Sequence, residues 1–250
     1  MSPETALLEN YLKQLNLAAF LRQYSSLAED AAQGPQSYQR FLLALAEAEV
    51  KQRDLNGQKR RLQEARFPRL KSFADFDFSA IPALNPQRLL QLAQGEYIAK
   101  TEPVILVGNP GLGKTHVAIA LGSAACLQKV RVRFYNTATL VNELITAQQE
   151  QRLTRFLTGV KRYQLIILDE LGFIPFTATG AHLLFQFCST LYEQVTIILT
   201  TNLKFGDWTQ LFGDERLTLA LLDRLTHKAH IIEFTGDSYR FRQRLAQGGN

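Results

Sequence analysis

A chain of 250 residues with 46% hydrophobic content is long enough for one large domain and a small one, and rich enough in apolar residues to bury a core. Its two cysteines, Cys126 and Cys188, have no metal-ligand spacing, no apolar run approaches the ~20 residues of a membrane span, and MSPETALLENYLKQ lacks the basic-then-apolar order of a signal peptide. These features predict a soluble cytoplasmic protein with buried free thiols and no membrane partner, while a net charge of +5 is compatible with a polyanion ligand.

Residues 4–29 place Leu8, Tyr11, Leu12, Leu15 and Ala19 at helical spacing, which predicts one amphipathic helix or a pair. After a turn at Gly34-Pro35, a second helical stretch runs from Ser37 to about Arg66, where Pro68 stops it. Residues 1–66 thus read as a small helical domain that packs on itself or on a partner. Between Lys51 and Lys71 eight basic residues stand against only Asp54 and Glu64. That density fits a solvated helix face or a surface that contacts phosphates; Lys51, Arg53, Lys59, Arg60 and Arg61 are the candidate DNA contacts. Residues 67–86, with three prolines and Phe67, Phe73, Phe76 and Phe78, read as a linker docking on the next domain, its aromatics serving as anchors or partly covering a base. A helix from Pro86 to about Lys100 leads into the third region, residues 87–250.

VILVGNPGLGKT, residues 104–115, organises that region. Gly108, Asn109, Pro110, Gly111, Leu112, Gly113, Lys114 and Thr115 form the G-x-x-x-x-G-K-[ST] pattern of a phosphate-binding loop, between a buried-type strand and a helical run. The glycines let successive N–H groups turn inward on phosphate oxygens, and the following helix offers its positive end to the same anion. Lys114 would reach the β- and γ-phosphates, and Thr115 would ligate Mg²⁺. Beyond it strands 130–136, 164–170, 195–202 and 230–234 alternate with helices over 137–160, 178–194 and 208–227. Alternation predicts an α/β fold with a parallel sheet covered on both faces, its short apolar runs being central strands.

Strand Leu165–Leu168 ends in Asp169-Glu170, where Asp169 would hold Mg²⁺ through water and Glu170 would take a proton from the attacking water. The next strand delivers Thr200, Thr201 and Asn202 to the same edge, and an amide there can orient that water. Arg224, or secondarily Arg216, either pairs with nearby acids or projects into a neighbouring subunit's site. Arg240 opens a basic C-terminal segment and is placed to contact nucleotide in cis.

GNPGLGKTH, LIILDELGF, LTTNLKFGDW, FGDERLTLALLDRLTHKAH and GDSYRFR, with RFPRLKSFADFDF ahead of them, together resemble the IstB family of insertion-sequence helper ATPases. That family belongs to the AAA+ class and is related to DnaC-type helicase loaders. The resemblance covers roughly residues 60–244. It implies a P-loop AAA+ core, ATP and Mg²⁺ as ligands, and ATP-dependent homo-oligomers on duplex DNA that cooperate with a cognate transposase. Carried onto matching positions, it implies that Gly108 to Thr115, with the adjoining His116, hold the nucleotide and that Asp169 and Glu170 are the metal and hydrolysis pair. Asn202 becomes the sensor, Arg224 the trans-acting arginine and Arg240 the second sensor, and with about ten residues after Arg240 no C-terminal helical lid is expected. No helix-turn-helix or zinc-finger pattern is present, so DNA contacts should be largely independent of sequence. A helicase loader shares this core and grips a helicase through its N-terminal region. A small-molecule phosphotransferase would have no use for Glu170, Asn202 and Arg224 together, and a non-hydrolysing clamp no use for Lys114, Asp169 and Glu170.

Overall fold

The computed structural model describes residues 2–34, 36–172 and 175–236. The chain divides after Arg60 into two compact units. Among the described residues no helix is long and apolar enough to cross a membrane.

The first unit is helical. α1 (Pro3–Gln14) starts at Ser2, whose hydroxyl accepts the Thr5 N–H. It ends where Asn16 takes a left-handed backbone (φ 56°), so the first helical stretch is a pair, α1 and α2 (Ala18–Gln33). Leu12, Ala19 and Leu45 are buried, whereas Leu8, Tyr11 and Leu15 of the expected stripe stay exposed. α2 has no capping side chain of its own. Glu49, on α3 (Tyr38–Ala65), supplies one from 30 residues away: its buried carboxylate accepts the Ala19 N–H at 2.8 Å and Arg53 Nε–H at 2.8 Å. Arg53 also donates to the Asn16 carbonyl at 3.2 Å, closing the turn between the two helices.

The second unit is built on a five-stranded parallel sheet of order β2-β3-β4-β1-β5. In chain order, a 3-10 turn (Phe78–Ala80) and helices α4 (Pro86–Leu92) and α5 (Glu96–Ala99) precede β1 (Val104–Gly108) and α6 (Lys114–Leu127). Then come β2 (Val132–Asn136), α7 (Thr137–Gln149), α8 (Leu153–Val160), β3 (Leu165–Leu171), α9 (Ala178–Leu191) and β4 (Thr196–Thr201). A second 3-10 turn (Phe205–Asp207), α10 (Trp208–Phe212), α11 (Glu215–Thr226) and β5 (His230–Phe234) complete it.

Strand residues alternate between two cores even though most are apolar. Ile105, Ile166, Leu168, Ile197 and Leu199 pack beneath α7 to α11. Val104, Leu106, Leu165, Ile167 and Ile198 pack beneath α4 to α6 and the end of α3. This is the two-faced burial of a parallel sheet. Among the described residues two of the five runs are nonetheless edges: β2 pairs only with β3 and β5 only with β1. Their shortness reflected strand length, not a central position.

Three helices expected as single pieces are broken by left-handed residues. Gly95 (φ 84°) separates α4 from α5, Gln151 (φ 55°) separates α7 from α8, and Gly213 (φ 71°) separates α10 from α11. In the last case Asp214 restarts the chain by accepting the Leu217 N–H at 2.9 Å. Cys126 and Cys188 are buried and in no disulfide, and burial pushes their thiols up to about 11 and about 12.

Glu49 makes a prediction for the first unit. Arg53 and the Ala19 N–H hold its carboxyl below the ordinary range, so its stabilisation is complete above ordinary carboxylate pKa values and is lost as pH falls through the lowered one. Glu49→Ala should cost about 1–3 kcal/mol by leaving the buried Ala19 N–H unpaired. Amide exchange should accelerate across Ala18–Gln33, and unchanged exchange there would show that α2 does not depend on this cap.

Candidate functional site

β1 runs into the loop at Gly108, whose backbone (φ 147°) excludes side chains and where a Cβ would collide with the Phe234 carbonyl on β5. Gly111 and Gly113, both at φ 84°, turn the chain back, and Leu112 between them is buried in the core as the loop's anchor. The first turn of α6 has no side-chain cap, so its N–H groups are directed at the loop's concavity. Lys114 Nζ lies back on that concavity, donating to the Gly108 and Asn109 carbonyls at 2.6 and 2.8 Å. Uncapped N–H groups, left-handed glycines and an ammonium group converge on one small volume, which fits a polyphosphate.

Asp169 is the hub beside it. Only 4% exposed, its Oδ1 accepts the Thr115 hydroxyl at 2.9 Å and the Thr200 hydroxyl at 2.6 Å, while its carbonyl accepts the Thr137 hydroxyl at 2.8 Å. Burial pushes its carboxyl pKa up, against the pull of the two hydroxyls. A hydroxyl and a carboxylate 2.9 Å apart are hard oxygen donors that suit Mg²⁺. Glu170, the next residue, sits at a bulge in the β3–β4 ladder with φ 61°, a conformation that costs a non-glycine residue roughly 1 kcal/mol or more. The kink turns its side chain out of the sheet. There Oε2 accepts from Asn136 Nδ2 at 3.0 Å, and its own N–H donates to Thr200 Oγ1 at 2.8 Å.

Asn136 ends β2 opposite Asp169 in register, and its other amide atom, Oδ1, accepts the Thr139 N–H at the start of α7. Asn136 and Thr137 were not among the expected site residues, and Thr200 was expected at the strand end without a role. The signal for Asn136 was its place between a strand and a helix, the position of an N-cap, but its second duty to Glu170 needs the β2–β3 pairing. Asn202 is exposed just past β4, beside the exit of β3: a Cβ on Gly172 would lie 3.6 Å from its Oδ1.

His116 faces elsewhere than expected. Its Nε2 is 2.8 Å from the Ser72 carbonyl and its ring packs edge-on against Phe76 at 5.1 Å, so it joins α6 to the 67–86 segment. Phe76 also abuts Gly113, where a Cβ would come within 2.7 Å of the ring. The aromatic segment is therefore seated on the phosphate loop and on the core through Phe67, Phe73 and Phe78. Arg224 lies at the opposite edge of the sheet, in a recess it shares with Pro103 and Val195, the residues that lead into β1 and β4. Arg216 is exposed at the start of α11, and Arg240 lies outside the described residues.

Of the candidate DNA contacts, Lys51, Lys59 and Arg60 are exposed on α3. Arg53 is engaged with Glu49 and Asn16, and Arg61 donates to the Cys126 carbonyl at 2.8 Å near the end of α6. Both make structural ties to carbonyls distant in the chain, Asn16 and Cys126, which sequence periodicity does not reveal.

Because Asp169 is buried, its charge opposes folding increasingly as pH rises from ordinary carboxylate values through the raised pKa. Asp169→Asn should therefore raise the nucleotide-free Tm above that pKa and remove this share of the pH dependence, while losing any Mg²⁺-dependent gain in ATP affinity. A Tm difference that does not vary with pH would contradict this.

Comparison with known proteins bears directly on this arrangement. Residues 10–247 match the family described as IstB-like ATP binding protein. The chain is 37% identical over 241 residues to the ATP-binding protein of insertion sequence IS21 from Pseudomonas aeruginosa, covering 96% of this chain and 91% of the relative. It is 34% identical over 240 residues to that of insertion sequence IS5376 from Geobacillus stearothermophilus, covering 96% of each. Among solved structures, AMPPCP-bound DnaA from Aquifex aeolicus superposes with a TM-score of 0.57 at 18% identity, over 72% of this chain and 55% of that one. DnaI superposes with a TM-score of 0.53 at 20% identity, over 71% and 94%. The sheet order, the phosphate loop and the acidic strand end thus belong to an AAA+ P-loop fold, and the chain is a member of the IstB-like family of ATP-binding proteins associated with insertion sequences.

Proposed function

We propose that this protein is an ATP-hydrolysing helper of a transposase, assembling on target DNA with ATP and regulating transposition through ATP binding and hydrolysis. The observation that carries the reading is the division of the machinery between two sheet edges. Lys114, Thr115, Asp169, Glu170 and Asn202 gather where β1, β3 and β4 end, and Arg224 stands where β1 and β4 begin. One copy holds a nucleotide pocket and, on its far side, an arginine that its own pocket cannot use. A second copy placed head to tail completes the site.

In the chemistry proposed, the loop N–H groups and Lys114 bind the phosphates, Lys114 exchanging its two carbonyl partners for phosphate oxygens. Thr115 and Asp169 would hold Mg²⁺, which would supply positive charge to offset that of the phosphates. Asn202 orients a water toward the γ-phosphorus. As that water's oxygen bonds to phosphorus and the bond to the β–γ bridging oxygen breaks, Glu170 accepts the proton. The bond from Asn136 holds the Glu170 carboxylate away from this task, so Asn136 is a brake that must let go first. Arg224 of the neighbouring copy meets the charge developing on the transferred group.

The transposase partnership rests on the insertion sequences for which the relatives are named. Contact with duplex DNA rests on the exposed Lys51, Lys59 and Arg60; repeated in each subunit of an oligomer, modest phosphate contacts multiply.

Two measurements test this reading. Asn136→Ala should raise ATP hydrolysis without DNA and shrink the stimulation that DNA gives, whereas a drop in both rates would make Asn136 a catalytic support. Hydrolysis should be stimulated by nonspecific duplex DNA, less so as salt rises, with sedimentation showing large assemblies only when ATP is present. A monomer under all conditions with no response to DNA would overturn the assembly mechanism.

A further inference from the structure

Arg224 makes two contacts within its own subunit that hold its side chain. The Arg224 guanidinium carbon lies 5.1 Å from the centroid of the Phe185 ring, and Nη1 donates to the Ala220 carbonyl one turn back on α11 at 2.8 Å. Phe185 is on α9, half-buried, and packs against the core beneath the sheet. Its side chain is therefore fixed by that core, while its ring meets the arginine. Arg224 is itself only partly buried, at a protein surface lined also by Lys100, Thr101, Tyr192 and Lys228.

We infer that Phe185 is a positioning residue for Arg224. An unrestrained arginine on a helix samples many rotamers, and ordering it on reaching a phosphoryl group would cost conformational entropy at the step where charge develops. The ring face attracts a guanidinium through its quadrupole and matches it in planarity, and the Ala220 carbonyl fixes the rotation that remains. Phe185 and Ala220 together present the arginine in one orientation on the outer face of the subunit. The inference rests on the reading that Arg224 acts in a neighbouring copy. It adds that the strength of that action is set from α9, an element that carries none of the nucleotide-binding residues.

A purely packing role for Phe185 predicts something different. Leucine covers an arginine stem and fills apolar space, but it has no ring face, whereas tyrosine keeps the face. The experiment uses full-length protein, duplex DNA and ATP, with subunits mixed at fixed total concentration. Mixing Lys114→Ala with Arg224→Ala subunits should restore hydrolysis, because the first donates its arginine to the intact pocket of the second. Phe185→Leu placed on the Lys114→Ala subunit, the donor, should cut the recovered rate by about three- to tenfold, the range expected for losing one partly exposed cation–π contact. The same change on the Arg224→Ala subunit should leave the recovered rate unaltered, and Phe185→Tyr on the donor should restore it.

Equal loss from either subunit, an unchanged recovered rate with Phe185→Leu on the donor, or a Phe185→Leu protein that no longer assembles in sedimentation would each overturn the inference and make Phe185 a packing residue. No recovery even in the parental mixture would remove the trans-acting role of Arg224, and the inference with it, before Phe185 is considered.

Discussion

The Asp169 carboxylate, gripped by two threonine hydroxyls in a nearly dry setting, is the interaction on which the site depends. Thr115 comes from α6, Thr200 from β4 and Asp169 from β3, so two short bonds tie the phosphate loop to the two strands beside it. Thr200 then passes the constraint to the Glu170 N–H, and Thr137 holds the Asp169 carbonyl from the start of α7. Thr115 and Glu170, two of the groups proposed to act at the reacting phosphate, are one and two hydrogen bonds from this carboxylate. Hydroxyls suit the task because each both donates and accepts, so a chain of them can hold an ion without adding a second charge.

The same economy explains the bulge at Glu170. A regular strand would alternate Asp169 and Glu170 onto opposite faces of the sheet and bury one of them under helices. The left-handed residue ends the pleat, so that both carboxylates leave the sheet at the same edge with different neighbours. Asp169 is dry and bonded to hydroxyls, Glu170 exposed and bonded to an amide. Two adjacent residues of similar chemistry acquire different properties from one backbone torsion.

What the sequence made legible were contiguous patterns: the phosphate loop, the acidic strand end, Asn202 after its strand, and the alternation that makes a parallel sheet. What it hid were pairings across the chain. Arg53 and Arg61 looked like members of a basic surface, yet one braces a carboxylate that caps a distant helix and the other meets a carbonyl near the end of α6. Asn136 reads as an ordinary helix cap until β2 lies beside β3. Edge strands β2 and β5 read as central because apolar runs report which faces are covered, not how many neighbours a strand has. The helix break at Gln151 was hidden for a related reason: the residue is not glycine, and only the surrounding packing places it in the left-handed region.

A parallel sheet has a direction, and in the proposed assembly that direction would separate the acceptor of an arginine from its donor. In the proposed assembly every junction between copies is alike and the two ends are not: one exposes a filled pocket with no arginine opposite it, the other an arginine with nothing to act on. A closed ring would have no such ends. An open filament would always carry one subunit whose nucleotide outlasts the rest, so its length, through the ratio of ends to junctions, would set how long the whole assembly persists.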